Sequence, residues 1–142
     1  MTKQTEARLT PQDVYNAFNG KDLDHFASLL ADDYVFEGDG SQRVDKAGFL
    51  DFIRHYWETF PDGKITGTRN VTEDNIVVGE GIFEGTHQGD FMGVPGTGKP
   101  VVFPFAEVFE FQGTKVKTMR VYNDTVAVVR QIGVAPIGFL TG

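Results

Sequence analysis

From Gly63 to Asp124 the chain alternates apolar and polar residues with a period of two, and turn residues cut this stretch into segments too long for a small hairpin protein. The pattern predicts a meander over Lys64 to Val71, Ile76 to Gln88, Val101 to Phe111 and Lys115 to Asn123, with turns at Thr72-Glu73-Asp74-Asn75 and Gln112-Gly113-Thr114. Gly79, Gly81, Gly85 and Gly89 share one parity, so one face of the second strand lacks side chains and the sheet can bend sharply toward it. Phe103, Phe105, Phe109 and Phe111 share a face of the third strand, while Val102, Ala106 and Val108 make its other face apolar. Such a sheet wraps a core on its inner side and offers its outer side to another subunit.

Before Gly63 the period is helical. Thr10-Pro11-Gln12-Asp13 supplies a cap, a first-turn proline and a first-turn acid; Val14, Ala17 and Phe18 form the stripe that follows. Asn19-Gly20 interrupts it, and Asp22 caps a second short helix carrying Leu23, Phe26, Ala27 and Leu30. Tyr34-Val35-Phe36 reads as a strand ending in Gly38-Asp39-Gly40-Ser41. Asp45 opens a third helix with Phe49, Phe52, Ile53, Tyr56, Trp57 and Phe60 on one broad side, stopped by Pro61-Asp62-Gly63. At 142 residues one domain spans the chain. The expected class is α+β, a cone in which a curved, mostly antiparallel sheet wraps three N-terminal helices, assembled as a homodimer or larger homo-oligomer.

Composition excludes several functions. A formal net charge of -7 opposes binding to nucleic acid. Without cysteine there is no disulfide, thiolate catalysis or cysteine zinc site. His25, His55 and His87 are spaced too widely for metal ligation, and no metal is expected. No run resembles a signal peptide or a membrane span, so the expected location is cytoplasmic, and Asn70-Val71-Thr72 is a chance glycosylation match. Gly93 to Lys99 approaches a phosphate-binding loop, but Pro100 stands where Ser or Thr is required and a strand follows; it reads as a tight inter-strand loop. The apolar tail from Gly133 to Gly142 is suited to covering a cavity or a partner.

Asp124 ends the last strand, where Val116, Thr118, Arg120 and Tyr122 share its parity and give a half-polar face fit for a wet cavity. There an acid would have its pKa raised toward neutrality and serve in proton transfer; the alternative is that Asp124 caps the helix Thr125 to Gln131. His87 falls on the concave face as either a proton donor or a hydrogen-bonded core residue. Glu107 shares parity with the strand's phenylalanines, so it is buried with a partner such as Arg120 or turned outward by a bulge after Pro104. Tyr15, Phe18, Tyr56 and Trp57 on helices, with Phe83 and Phe105 on strands, are the candidate walls of an apolar pocket. His25 and His55 fall off the apolar stripes.

Four segments carry a resemblance: Phe60-Pro61-Asp62, the stretch Gly85-Thr86-His87-Gln88-Gly89 through Gly96-Thr97-Gly98-Lys99, the strand pair around Gly113, and Tyr122-Asn123-Asp124 leading into Arg130-Gln131-Ile132-Gly133. Together they are similar to the SnoaL-like polyketide cyclases of the nuclear transport factor 2-like fold. The resemblance implies a cone-shaped α+β barrel, no cofactor, and an aspartate at position 124 acting as acid/base in an intramolecular aldol closure. On that expectation Asp124 takes a proton from a carbon flanked by carbonyls, in an apolar polyketide-like ester. His87 steadies the developing oxyanion, and Arg120, Tyr122 or Glu107 helps. An isomerase or epoxide hydrolase on the same scaffold, or an inert small-molecule-binding module, are the alternatives.

Overall fold

The computed structural model describes residues 8–38 and 42–134; the Asp39-Gly40-Ser41 turn and the tail from 135 onward lie outside the described residues. The elements are α1 (Pro11–Gly20), α2 (Leu23–Ser28), β1 (Leu30–Glu37), β2 (Arg43–Asp45), α3 (Lys46–Thr59), β3 (Lys64–Glu73), β4 (Ile76–Thr86), β5 (Pro100–Gln112), β6 (Lys115–Asn123) and α4 (Thr125–Gln131). The helix starts are those the caps announce. The Thr10 hydroxyl accepts from the Asp13 amide at 3.3 Å while the Asp13 carboxylate accepts from the Thr10 amide at 2.8 Å. Asp22 and Asp45 take the amides of His25 and Gly48.

The sheet runs β2-β1-β6-β5-β4-β3. Its β3 to β6 part is the expected antiparallel meander, while β1 joins β6 in parallel and the short β2 pairs antiparallel with β1. β2 was not legible in the alternation, because three residues do not make a period. The strands curve around the helices without closing, since β2 and β3 remain separate edges. Where glycine removes side chains from β4, aromatic residues of other elements come close. A Cβ on Gly79 would stand 2.7 Å from the Tyr15 hydroxyl oxygen, and one on Gly81 would stand 2.7 Å from the Phe105 ring. Tyr15 and Phe105 thus fill the inner face in place of side chains on β4.

The core lies between this inner face and the helices: Phe83, Phe103, Phe105, Phe109 and Phe111 from the sheet meet Val14, Phe18, Phe26, Phe49 and Ile53. Two polar clamps fix the frame. Asn19 at the end of α1 donates to the Ile65 carbonyl at 2.9 Å and accepts from its amide at 2.8 Å, tying α1 to β3. Gln131 of α4 does the same to Val102, accepting at 2.7 Å and donating at 2.8 Å, which supplies the hydrogen bonds that β6 would have made had it extended further along β5.

One irregularity decides what faces inward. Against β5, Phe111 pairs with Val116 but Glu110 pairs with Thr118, leaving Lys117 as an extra residue. The bulge reverses the phase of the strand: Val116 is buried inside, and beyond it Met119 is buried instead of Thr118 or Arg120. The expectation that Arg120, Tyr122 and Asp124 line the concave side is therefore corrected. Arg120 is exposed on the outer face, ion-paired with Glu37, and Tyr122 is exposed there as well.

Candidate active site

Between the inner face and the helices lies a hollow of about 610 Å³, within the range of small-molecule sites. Phe18, Tyr56, Phe83 and Phe105 line it, as the sequence suggests, joined by Phe36, Phe49, Phe52, Phe91 and Phe103, by Met119 and Val121 of β6, and by Asn123 and Thr125. Tyr15 and Trp57 do not line it: both lie in the packing behind, Tyr15 against Phe105 and Phe109, Trp57 against Phe18 and Phe26. The exposed Phe52, His55, Glu58, Asp90 and Met92 form the lip. Among the described residues no lysine or arginine lines it.

Glu107 is the buried carboxyl of this wall. It lies between Phe105 and Phe109 on the inner face of β5, opposite Gly79 on one neighbouring strand and Val121 on the other. Only 8 % of the residue is exposed, and its Oε1 has no hydrogen-bond partner. The expected bond to Arg120 is absent because the bulge in β6 turns that guanidinium outward. Burial alone raises the Glu107 carboxyl from 4.5 to about 8, so at neutral pH it is chiefly the neutral acid. Its charge in turn adds to the burial that holds the hydroxyls of Tyr15, Tyr34 and Tyr56 above the ordinary phenol range. Parity places Glu107 inside; only the bulge, invisible in the sequence, leaves it alone there.

Asp124 stands elsewhere. Its residue is exposed and one carboxylate oxygen accepts from the Ala127 amide at 3.0 Å, capping α4. It is not a lining residue, although its neighbours Asn123 and Thr125 are, which sets it at the outer margin of the hollow. Of the two sequence readings, the helix cap is the one this geometry realises.

His87 is fully buried, one layer behind the wall. The Thr97 amide donates to its Nδ1 at 3.2 Å, with the Thr97 hydroxyl 2.9 Å away. A backbone N–H can only donate, so the proton sits on Nε2. That nitrogen has no polar partner, and the imidazole meets the Phe91 ring edge-on, 6.4 Å between centroids. With Thr59, whose hydroxyl donates to the Asp90 carbonyl at 2.7 Å, His87 anchors the loop that carries Asp90, Phe91 and Met92 to the lip. The candidate residues are thus not brought together: Glu107 faces the hollow, His87 braces its loop, and Asp124, Arg120 and Tyr122 lie outside. Among the described residues no cluster of three or more His, Asp or Glu side chains is placed to hold a metal ion, and no helix is long and apolar enough to cross a membrane.

The family model described as SnoaL-like polyketide cyclase matches residues 9–132. IdmH from Streptomyces antibioticus, named as a candidate polyketide cyclase, is 27% identical with a TM-score of 0.77, covering 89% of this chain and 100% of its own. AclR from Streptomyces galilaeus, named as a candidate hydroxylase, is 24% identical with a TM-score of 0.80, covering 88% and 83%. A Catenulispora acidiphila protein with a ketosteroid isomerase-like fold is 17% identical with a TM-score of 0.74, covering 89% and 95%. The last two establish the fold alone. None of the curated proteins matches the chain.

Proposed function

The chain belongs to the SnoaL-like polyketide cyclase family, and from that premise we propose that it closes a ring in a carbonyl-rich, polyketide-like small molecule, with Glu107 moving the proton. One observation carries this reading: a carboxyl whose Oε1 has no partner among the described residues, kept chiefly neutral by burial, on the wall of an aromatic-lined hollow. An acid placed there can donate to a substrate oxygen in surroundings that water does not screen. The enol form of a carbon between two carbonyls attacks a third carbonyl elsewhere in the molecule. The carbon–carbon bond forms as the Glu107 proton passes to the carbonyl oxygen, and the enol proton then returns to the Glu107 carboxylate. The substrate is rearranged, and the acid is restored.

A second reading keeps Asp124 as the proton carrier, favoured by the family resemblance and by Asn123 and Thr125 on the lining. Epoxide hydrolysis, which on this chain would call on Arg120, is disfavoured by the outward position of that residue. The apolar outer face, with Ile76, Val78, Val102 and Tyr122 exposed, is the surface a second copy would cover, in keeping with a homodimer.

The test is incubation of the purified protein with a panel of aromatic polyketide methyl esters, followed by chromatography and mass detection. The proposal expects a product of unchanged mass, or lighter by one water, formed by wild type and far more slowly by Glu107→Gln. Binding without conversion across the panel would support an inert binding module instead.

A further inference from the structure

Above Glu107 lies a second buried polar group with no partner, the hydroxyl of Tyr15. The Tyr15 ring packs edge-to-face with Phe105 and Phe109, centroids 5.9 and 6.2 Å away, and these are the residues flanking Glu107 on the same face of β5. The ring thus spans the Glu107 position. Its hydroxyl oxygen falls 2.7 Å from where a Cβ of Gly79 would be, and Gly79 is the residue paired with Glu107 across the strands. Paired positions on an antiparallel sheet hold their Cβ atoms about 4.5–5.5 Å apart, so the hydroxyl occupies the side-chain site next to the carboxyl. Gly79 keeps that site open.

We propose that Tyr15 is a positioning residue for Glu107, its hydroxyl turning onto the carboxylate whenever the carboxyl has released its proton. Tyr15 does not line the hollow, so it acts through Glu107 rather than on substrate. While Glu107 is neutral the pair is slack, and both atoms stay unpartnered. During proton transfer the carboxylate meets no cation among the described residues: the groups facing it are Tyr15 from α1, Tyr34 from β1 and Tyr56 from α3, while β4 and β6 present Gly79 and Val121. The Tyr34 hydroxyl is engaged with the Met119 sulfur at 3.6 Å, and Tyr56 is on the hollow's own wall. Tyr15 is the hydroxyl left over, and a phenol stays protonated throughout the range in which the carboxyl titrates. A hydrogen bond to the charged form favours ionisation.

This inference rests on the reading of Glu107 as a buried acid, and the experiment separates the two. The side-chain carboxyl resonance of Glu107, assigned by its loss in Glu107→Gln, is titrated by NMR without substrate in wild type, Tyr15→Phe and Tyr34→Phe. Tyr15→Phe should move the midpoint upward by about one to two units, the worth of a charge-assisted hydrogen bond, and Tyr34→Phe should move it less. If Tyr15→Phe does not fold, Gly79→Ala, whose methyl displaces the hydroxyl, should shift it in the same direction. An unchanged midpoint in the folded variant, or an equal shift from Tyr34→Phe, overturns the assignment to Tyr15. A wild-type carboxyl titrating in the ordinary range overturns the underlying reading of Glu107 and this one with it.

Discussion

Replacing Glu107 by Gln should make the protein more stable at neutral and alkaline pH, by an amount that grows with pH. In the folded protein the carboxyl is raised from 4.5 to about 8, so between those values the folded state holds a proton that the unfolded chain has released. Stability contributed by that proton is fully present below the unfolded pKa and is lost as pH rises through the folded one. At 1.36 kcal/mol per unit the loss is about 3 kcal/mol at pH 7 and approaches about 5 kcal/mol above pH 8. Gln has the same shape and no charge to bury, so it escapes this loss. Near pH 4.5 the two proteins should agree to within about 1 kcal/mol, since both then hold a neutral polar group in the same place. Urea unfolding at pH 5, 7 and 9 measures the difference from midpoints and slopes. Parallel pH dependence in wild type and Glu107→Gln would mean instead that the carboxyl titrates alike in the folded and unfolded states.

Asp124→Asn should leave stability nearly unchanged, since Asn caps a helix as well as Asp, whereas Asp124→Ala should cost about 1 kcal/mol by thermal unfolding; on the Glu107 reading the Asn variant also retains turnover. Gly96→Ala should destabilise by about 1–3 kcal/mol or more, because the added Cβ would stand 2.1 Å from the Gln88 carbonyl oxygen and only backbone movement can relieve the contact. If the outer face joins two copies as proposed, wild type should scatter light as a dimer and paired charges at Val78 and Val102 should shift it to monomer at unchanged circular dichroism; a monomeric wild type, or a dimer unaltered by the charges, would count against that contact.

The frame of this molecule is written in local signals. Thr10, Asp22 and Asp45 cap the helices, Gly79 and Gly81 leave gaps in the side chains of β4, and alternation marks the meander, because each of these depends on residues near in sequence. The arrangement of the hollow depends on one residue that no local signal marks. With Lys117 bulged out, Val116 and Met119 both face inward, and counting by twos from Val116 arrives at Arg120, Tyr122 and Asp124, the residues that in fact face out. The same slip removed the expected partner of Glu107. Its position on the phenylalanine face was legible; its solitude was not, because that is a property of the neighbouring strand's register. His87 was legible as a concave-face residue, but its bond to the Thr97 amide arises from the fold of the loop between β4 and β5.

The pH dependence of ring closure puts the proposed role of Glu107 most directly to the test. With a polyketide substrate that the protein cyclises in hand, kcat should hold steady from pH 6 to 7 and fall through a single ionisation near pH 8 that is missing in Glu107→Gln, whose residual rate is low throughout. A rate that climbs with pH across this range, or a Glu107→Gln enzyme as fast as wild type beside an inactive Asp124→Asn, would contradict a neutral Glu107 as the proton donor.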